Sequence, residues 1–168
     1  HGSLGPAEIP AKRNWTYRHV LWLAHNRGLP LDMPATHPFN PMPLLRLAVG
    51  TDAQGLPNRY VCETLFRHVW QGGADAVDAT RLQALTTELA PQRAASEESV
   101  KAQLKAHTDA AMALQVFGVP AFEVDGRVFW GLDALPMLRA YLEGDAWFTD
   151  AQWNQPLSQP SGLPPRTA

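Results

Sequence analysis

Along "NWTYRHVLWLAHNRG" the apolar positions return with a helical period, and Trp15, Tyr17, Val20, Leu21, Leu23 and Ala24 spread around much of the cylinder. Asn14 stands where it can cap the start and Gly28 where it can stop the helix, so the pattern predicts a largely buried helix. On this reading Trp15, Trp22 and Trp70 belong to the core. Three more segments keep the helical period: Pro43 to Val49, Pro57 to Trp70 closed by Gly72 and Gly73, and Asp78 to Leu89 with Leu82, Leu85 and Leu89 on one face. A longer one from near Ser96 puts Val100, Leu104, His107, Ala111 and Leu114 on one stripe and ends by Gly118. The period shortens to two only at Ala121–Val124 and Arg127–Trp130, joined by Asp125-Gly126, a pair that supplies positive φ in a two-residue hairpin turn. A last helix starts near Asp133, with Pro136 tolerated in its first turn, where a missing N–H costs nothing.

The segments between and after these elements are informative in composition. Pro30, Pro34, Pro38, Pro41 and Pro43 each remove a donor and bias the preceding residue to extended geometry, which predicts a stiff loop rather than a linker. From Gly144 the period decays into "QWNQPLSQPSGLPPRTA", for which an irregular or disordered tail is expected.

With 168 residues, 45% apolar and 18% charged, the chain has room for one domain, or for a small domain carrying an insertion. A formal net charge of -2 offers no basic face for a polyphosphate, which argues against nucleic acid as a partner. No apolar run approaches the ~18 to 20 residues that span a bilayer, and "HGSLGPAEIP" lacks a signal-peptide core, so no membrane partner and a cytoplasmic location are expected. Cys62 is the only cysteine, flanked by Val61 and Leu65 and read as a core residue; with no second thiol, sulfur chemistry must borrow one from another molecule. His19 and His25 cannot share a helix face and no His/Cys cluster exists, so no metal is expected.

The order of elements from Val116 to Leu135, in "VFGVPAFEVDGRVFWGLDAL", is helix, Gly-Val-Pro, strand, Asp-Gly turn, strand, Trp-Gly, helix. That is the ββα half of a thioredoxin-like domain. The fold class expected is therefore thioredoxin-like α/β with a large helical insertion: helices over 1–117, the ββα part over 118–143, and the tail over 144–168. In such a domain the proline before the first strand is cis, which makes Val119-Pro120 the candidate, its backbone turned toward a peptide-like ligand.

The same stretch resembles the C-terminal signature of the 2-hydroxychromene-2-carboxylate isomerases and the kappa-class glutathione transferases, within the wider DsbA-like group. "GPAEIPAKRNWTYRHVLWLAHNRGLPLDMPATHPFNP" resembles the start of the helical insertion of the isomerase-like members. The resemblance implies that glutathione is held by Val119 and by Trp130, Gly131, Leu132 and Asp133. The chemistry of those residues agrees. Unpaired N–H groups of Gly131 and Leu132 at a helix start suit a carboxylate, and Asp133 suits an ammonium, the two charges that the γ-glutamyl end carries on one carbon. Asp133 can equally be a plain helix cap. Lys12, placed with Arg13 just ahead of the first helix, and His37 and Asn40 in the proline-rich loop are candidates to meet a small aromatic acid substrate. Relatives in this group are commonly dimers, which implies a homodimer.

In these families a βαβ unit precedes such a segment and carries, after its first strand, a serine that activates the thiol. The chain starts after that point. None of Ser3, Ser96, Ser99, Ser158 and Ser161 stands in such a context, so no catalytic residue is expected within it, nor turnover by the 168-residue chain alone. The open edge of the hairpin should be covered by an upstream segment or a neighbouring chain. The activity implied is a glutathione-dependent cis/trans isomerisation of an aromatic 2-hydroxy or 2-oxo acid. The alternatives are a kappa-type transferase and a non-catalytic thioredoxin-like binding module.

Overall fold

The structure, a computed structural model, describes residues 8–153, 155–158, 160 and 162. The chain divides into two compact units, His1–Thr108 and Asp109–Ala168. Helices α1 (Pro10–Asn26), α2 (Met42–Gly50), α3 (Arg59–Trp70) and α4 (Ala79–Leu89) belong to the first, together with the start of α5 (Glu98–Ala113). Leu44 and Leu47 of α2, Val61 and Val69 of α3, and Leu85 and Leu89 of α4 close on one another and on Ala76, with Phe39, Leu65, Trp70 and Leu82 packed around them. Their spacings of three, four and eight residues are what place each set on one helical face.

Local chemistry sets the ends of these helices. Asn58 Oδ1 accepts from the Val61 N–H at 3.0 Å, and Asp78 Oδ1 accepts from the Arg81 N–H at 2.9 Å, each satisfying a donor that the first turn leaves unpaired. The proline-rich loop is pinned to the end of α3. The Asp32 N–H donates to the Trp70 carbonyl at 2.7 Å, the Ala35 N–H to that of Ala74 at 3.2 Å, and the Gly72 N–H to Asp32 Oδ2 at 2.9 Å.

The first helix departs from its expected course. It begins at Pro10, so Asn14 lies inside it and Lys12 and Arg13 are in its first turns rather than ahead of it. Only Ala24 is buried, while Trp15 is 67% and Trp22 57% exposed. Apolar residues all around a cylinder define no single face, and packing selects the side bearing Arg13, Tyr17 and Ala24. Trp15, His19 and Trp22 stack on the exposed side, with successive ring centroids 6.3 and 6.4 Å apart. Trp70 does pack against the core. On α5 the expected stripe is also shallower, with Val100 alone fully buried and Leu114 past the helix end.

In the second unit β1 (Ala121–Val124) pairs antiparallel with β2 (Arg127–Trp130), in the register Ala121 to Trp130 and Val124 to Arg127. Asp125 and Gly126 take φ of 52° and 76°, the two left-handed positions a tight hairpin turn needs. A 3-10 turn, Leu132–Ala134, then leads into α6 (Leu135–Leu142), with Pro136 in its first turn.

The region after Gly144 differs from the irregular tail expected. It forms 3-10 turns at Ala146–Phe148, Ala151–Trp153 and Gln155–Ser158, and Phe148 is buried. Phe129, 2% exposed, lies with its ring centroid 5.5 Å from Tyr141, 6.2 Å from Phe148 and 5.9 Å from Trp153. The Arg127 guanidinium sits over the Tyr141 ring at 4.8 Å and the Trp153 ring at 5.4 Å, and donates to the Phe148 carbonyl at 3.2 Å. The tail thus covers the hairpin with rings that have no period in sequence. The expectation for residues 154, 159, 161 and 163–168 falls outside the described residues.

Candidate functional site

The loop leaving α5 and the segment following β2 meet at one end of the hairpin. The Val119-Pro120 peptide is cis, and the Gly131 N–H donates to the Pro120 carbonyl at 2.9 Å, tying the two loops together. Val119 is 86% exposed, and among the described residues neither its N–H nor its carbonyl has a hydrogen-bond partner. Trp130 lies half-exposed with its ring centroid 4.9 Å from that of Phe117, which is itself exposed. Gly118 makes that arrangement fit: a Cβ there would stand 2.5 Å from Trp130 Nε1.

Two of the roles inferred for Trp130 to Asp133 need correction. The Gly131 N–H is not available to a ligand, because Pro120 takes it. What remains at the start of the 3-10 turn are the N–H groups of Leu132 and Asp133, which have no partner among the described residues. Asp133 is not a cap either. Its carboxylate accepts no hydrogen bond among the described residues and lies over Gly131, where any Cβ would meet Oδ1. With φ of 95° as well, Gly131 is required twice over, by backbone conformation and by space. The structure therefore brings Val119, Trp130, Leu132 and Asp133 to one exposed place, with two free donors and one free carboxylate.

The other candidates lie in the first unit and have separate surroundings. Lys12 is exposed, and its carbonyl accepts from Thr16 Oγ1 at 2.8 Å. Asn40 Oδ1 accepts from the Met42 N–H at 3.1 Å, so it serves the start of α2. His37 is half-buried: its Nδ1 is 2.7 Å from the Tyr17 hydroxyl, and its ring touches those of Tyr17, Phe39 and Trp70 with centroids 5.4, 6.0 and 5.4 Å away.

His37 also lines a cavity of about 340 Å³ that sequence reasoning missed, walled by Leu44, Leu45, Ala48, Leu65, Val69 and their neighbours on α2 and α3. Cys62, read as a core residue, is half-buried and lines it too. The signal was present: Leu45 with Ala48, and Cys62 with Phe66, carry apolar surface on each helix beside the face used by the core. Among the described residues no group of three or more His, Cys, Asp or Glu side chains could hold a metal, and no helix is long and apolar enough to cross a membrane.

A connected ββα segment with a proline turn ahead of its first strand, joined to a helical unit, is the arrangement of a thioredoxin-like α/β fold carrying a helical insertion. The family profile of the DSBA-like thioredoxin domain matches residues 1–143, and the chain belongs to that family. A solved structure of 2-hydroxychromene-2-carboxylate isomerase shares the fold, with a TM-score of 0.71 at 20% identity over 94% of this chain and 76% of that one. No curated protein matches the chain.

Proposed function

We propose that the protein is a glutathione-dependent cis/trans isomerase acting on an aromatic 2-hydroxy or 2-oxo acid, and that the second unit holds the tripeptide. The observation that carries this reading is the grouping of the exposed Val119 backbone with the unpaired Leu132 and Asp133 N–H groups and the unpartnered Asp133 carboxylate. These groups fit glutathione. Val119 would pair with the amide of its cysteinyl residue, the two N–H groups with its α-carboxylate, and Asp133 with its ammonium, each a hydrogen bond in which at least one charged end strengthens the contact or a backbone pair aligns it. Trp130, held by Phe117 and Gly118, would wall the site and exclude water. The relative with the shared fold is an isomerase by name, which supports the reaction class. Bound glutathione would supply a thiol able to add reversibly to a conjugated double bond. None of this chain's residues is assigned the activation of that thiol.

Calorimetric titration with reduced glutathione tests the site. Loss of a charge-assisted hydrogen bond is worth ~1.5 to 3 kcal/mol, so Asp133→Ala should weaken binding by about one to two orders of magnitude. Affinity unchanged by that substitution removes the site. Stoichiometric consumption of glutathione with an electrophile would instead favour a kappa-type transferase, and absence of binding a non-catalytic module.

A further inference from the structure

The cavity between α2 and α3 lies wholly within the first unit, and the glutathione reading leaves it unused. Its wall is almost entirely hydrocarbon, with no Lys, Arg, Asp or Glu among the residues that line it. At about 340 Å³ it falls at the small end of ligand pockets, which run from ~300 to 1,000 Å³. His37 brings a polar ring to that wall. The Tyr17 hydroxyl has a single proton and lies 3.1 Å from the His37 carbonyl and 2.7 Å from His37 Nδ1. Both contacts are satisfied together when the hydroxyl donates to the carbonyl and Nδ1–H donates to the hydroxyl oxygen. In that tautomer Nε2 is the lone-pair acceptor, and among the described residues Nε2 has no partner. Contacts with Tyr17, Phe39 and Trp70 fix the plane of the ring.

We propose that this cavity is a binding site for an uncharged ring compound bearing one O–H group, a simple phenol or cyclic alcohol, whose hydroxyl donates to His37 Nε2. The hydrocarbon wall takes the ring. The same wall rejects a carboxylate or ammonium, because burying an unpaired charge there would cost far more than the contacts return. The site is distinct from the one assigned to glutathione and stands whether or not glutathione binds.

Cys62 makes the test simple, since it is the chain's only cysteine and lines the cavity. The 168-residue chain is labelled with N-ethylmaleimide in the presence of 4-ethylphenol, its methyl ether 4-ethylanisole, or 4-ethylbenzoate. 4-Ethylphenol should slow labelling saturably. 4-Ethylanisole, which cannot donate, should need about 3- to 10-fold more, the worth of one neutral hydrogen bond. 4-Ethylbenzoate should not protect. Ala48→Phe, which fills the cavity without touching a polar group, should abolish protection, and His37→Phe should make the phenol and its ether equal.

Equal protection by phenol and ether in the unsubstituted protein overturns the proposal, as does protection by the benzoate equal to that by the phenol. Failure of all three probes to protect a chain whose circular dichroism shows it folded also overturns it. So does a thiol that is unreactive in a sedimenting dimer, which would make the cavity a contact between copies.

Discussion

In the first unit the buried side chains are mostly aliphatic, and Leu44, Leu47, Val61, Val69, Leu85 and Leu89 reach the core from three regular helices. Among the described residues of the second unit the buried hydrophobic side chains are Phe129 and Phe148, one on a four-residue strand and the other on a turn beyond the last helix. An aliphatic core shared among helices distributes its energy over many small contacts. A cluster of Phe129, Tyr141, Phe148 and Trp153 concentrates it in a few rings that each touch several others. The second unit should therefore be the more easily destroyed by one substitution.

The largest effect expected is that of Phe129→Ala, which empties the centre of the ring cluster and should cost ~3 to 5 kcal/mol. Hydrogen exchange should show protection lost across β1, β2 and the turn at Ala146–Phe148 while α3 and α4 keep theirs. Simultaneous loss of protection in α3 and α4 would break the contrast between the units.

Gly118→Ala should come next, at ~1 to 3 kcal/mol, because the new methyl group displaces the half-exposed indole from its place against Phe117. Its signature is a changed environment for Trp130. Restoring the stability with the double substitution Gly118→Ala, Trp130→Leu would identify the indole as the cause; a double substitution no better than the single one would assign the cost to the backbone.

The difference between the units also explains what could be read from the sequence. Where period and cap coincide, as at Asn58 with Val61 and Asp78 with Arg81, the helices lie where pattern places them, and the hairpin falls on its predicted residues because Asp125-Gly126 fixes its turn. Three features were not legible. The apolar residues of α1 surround its axis and name no buried side, so Trp15 and Trp22 were misplaced. Phe148 and Trp153 pack through a turn and leave no period to detect. The Gly131 N–H is spent on Pro120, a partner eleven positions away that spacing cannot reveal. At the candidate site the residue types were legible, and which of their polar groups stay free was not.

A smaller effect sharpens the picture of the helical unit. Asp78→Ala removes the acceptor for the Arg81 N–H at the start of α4 and should cost ~1 kcal/mol. The loss should appear as fraying of α4 in hydrogen exchange, with the hairpin unchanged. A change confined to the hairpin would contradict the division of the chain.

The smallest effects expected are those of pH, and they should act on the two units from opposite ends of the scale. In the first unit the Asp52 carboxyl is held below its ordinary value by N–H groups of Leu56 and Gln54, which reach Oδ1 at 3.2 and 2.9 Å, and Glu63 is lowered by its hydrogen bond to Arg59 at 2.6 Å. A carboxyl lowered by folding adds stability that is present above the unfolded value near pH ~4 and fades as pH falls toward the folded one. In the second unit Tyr141 is raised, first by its hydrogen bond to Asp125 Oδ2 at 2.7 Å. A phenol raised by folding adds stability that is present below pH ~10 and is lost as pH climbs through the folded value, where the donor proton leaves. All three groups are open to solvent, so the slopes should be shallow and salt-sensitive. Acid should therefore loosen the Asp52 turn and the start of α3 first, and alkali the contact between α6 and the hairpin turn. Asp52→Asn should flatten the acid slope seen by exchange in the first unit, and Tyr141→Phe the alkaline slope in the second. An alkaline slope that persists in Tyr141→Phe would take the effect away from the Tyr141–Asp125 pair and remove this distinction between the units.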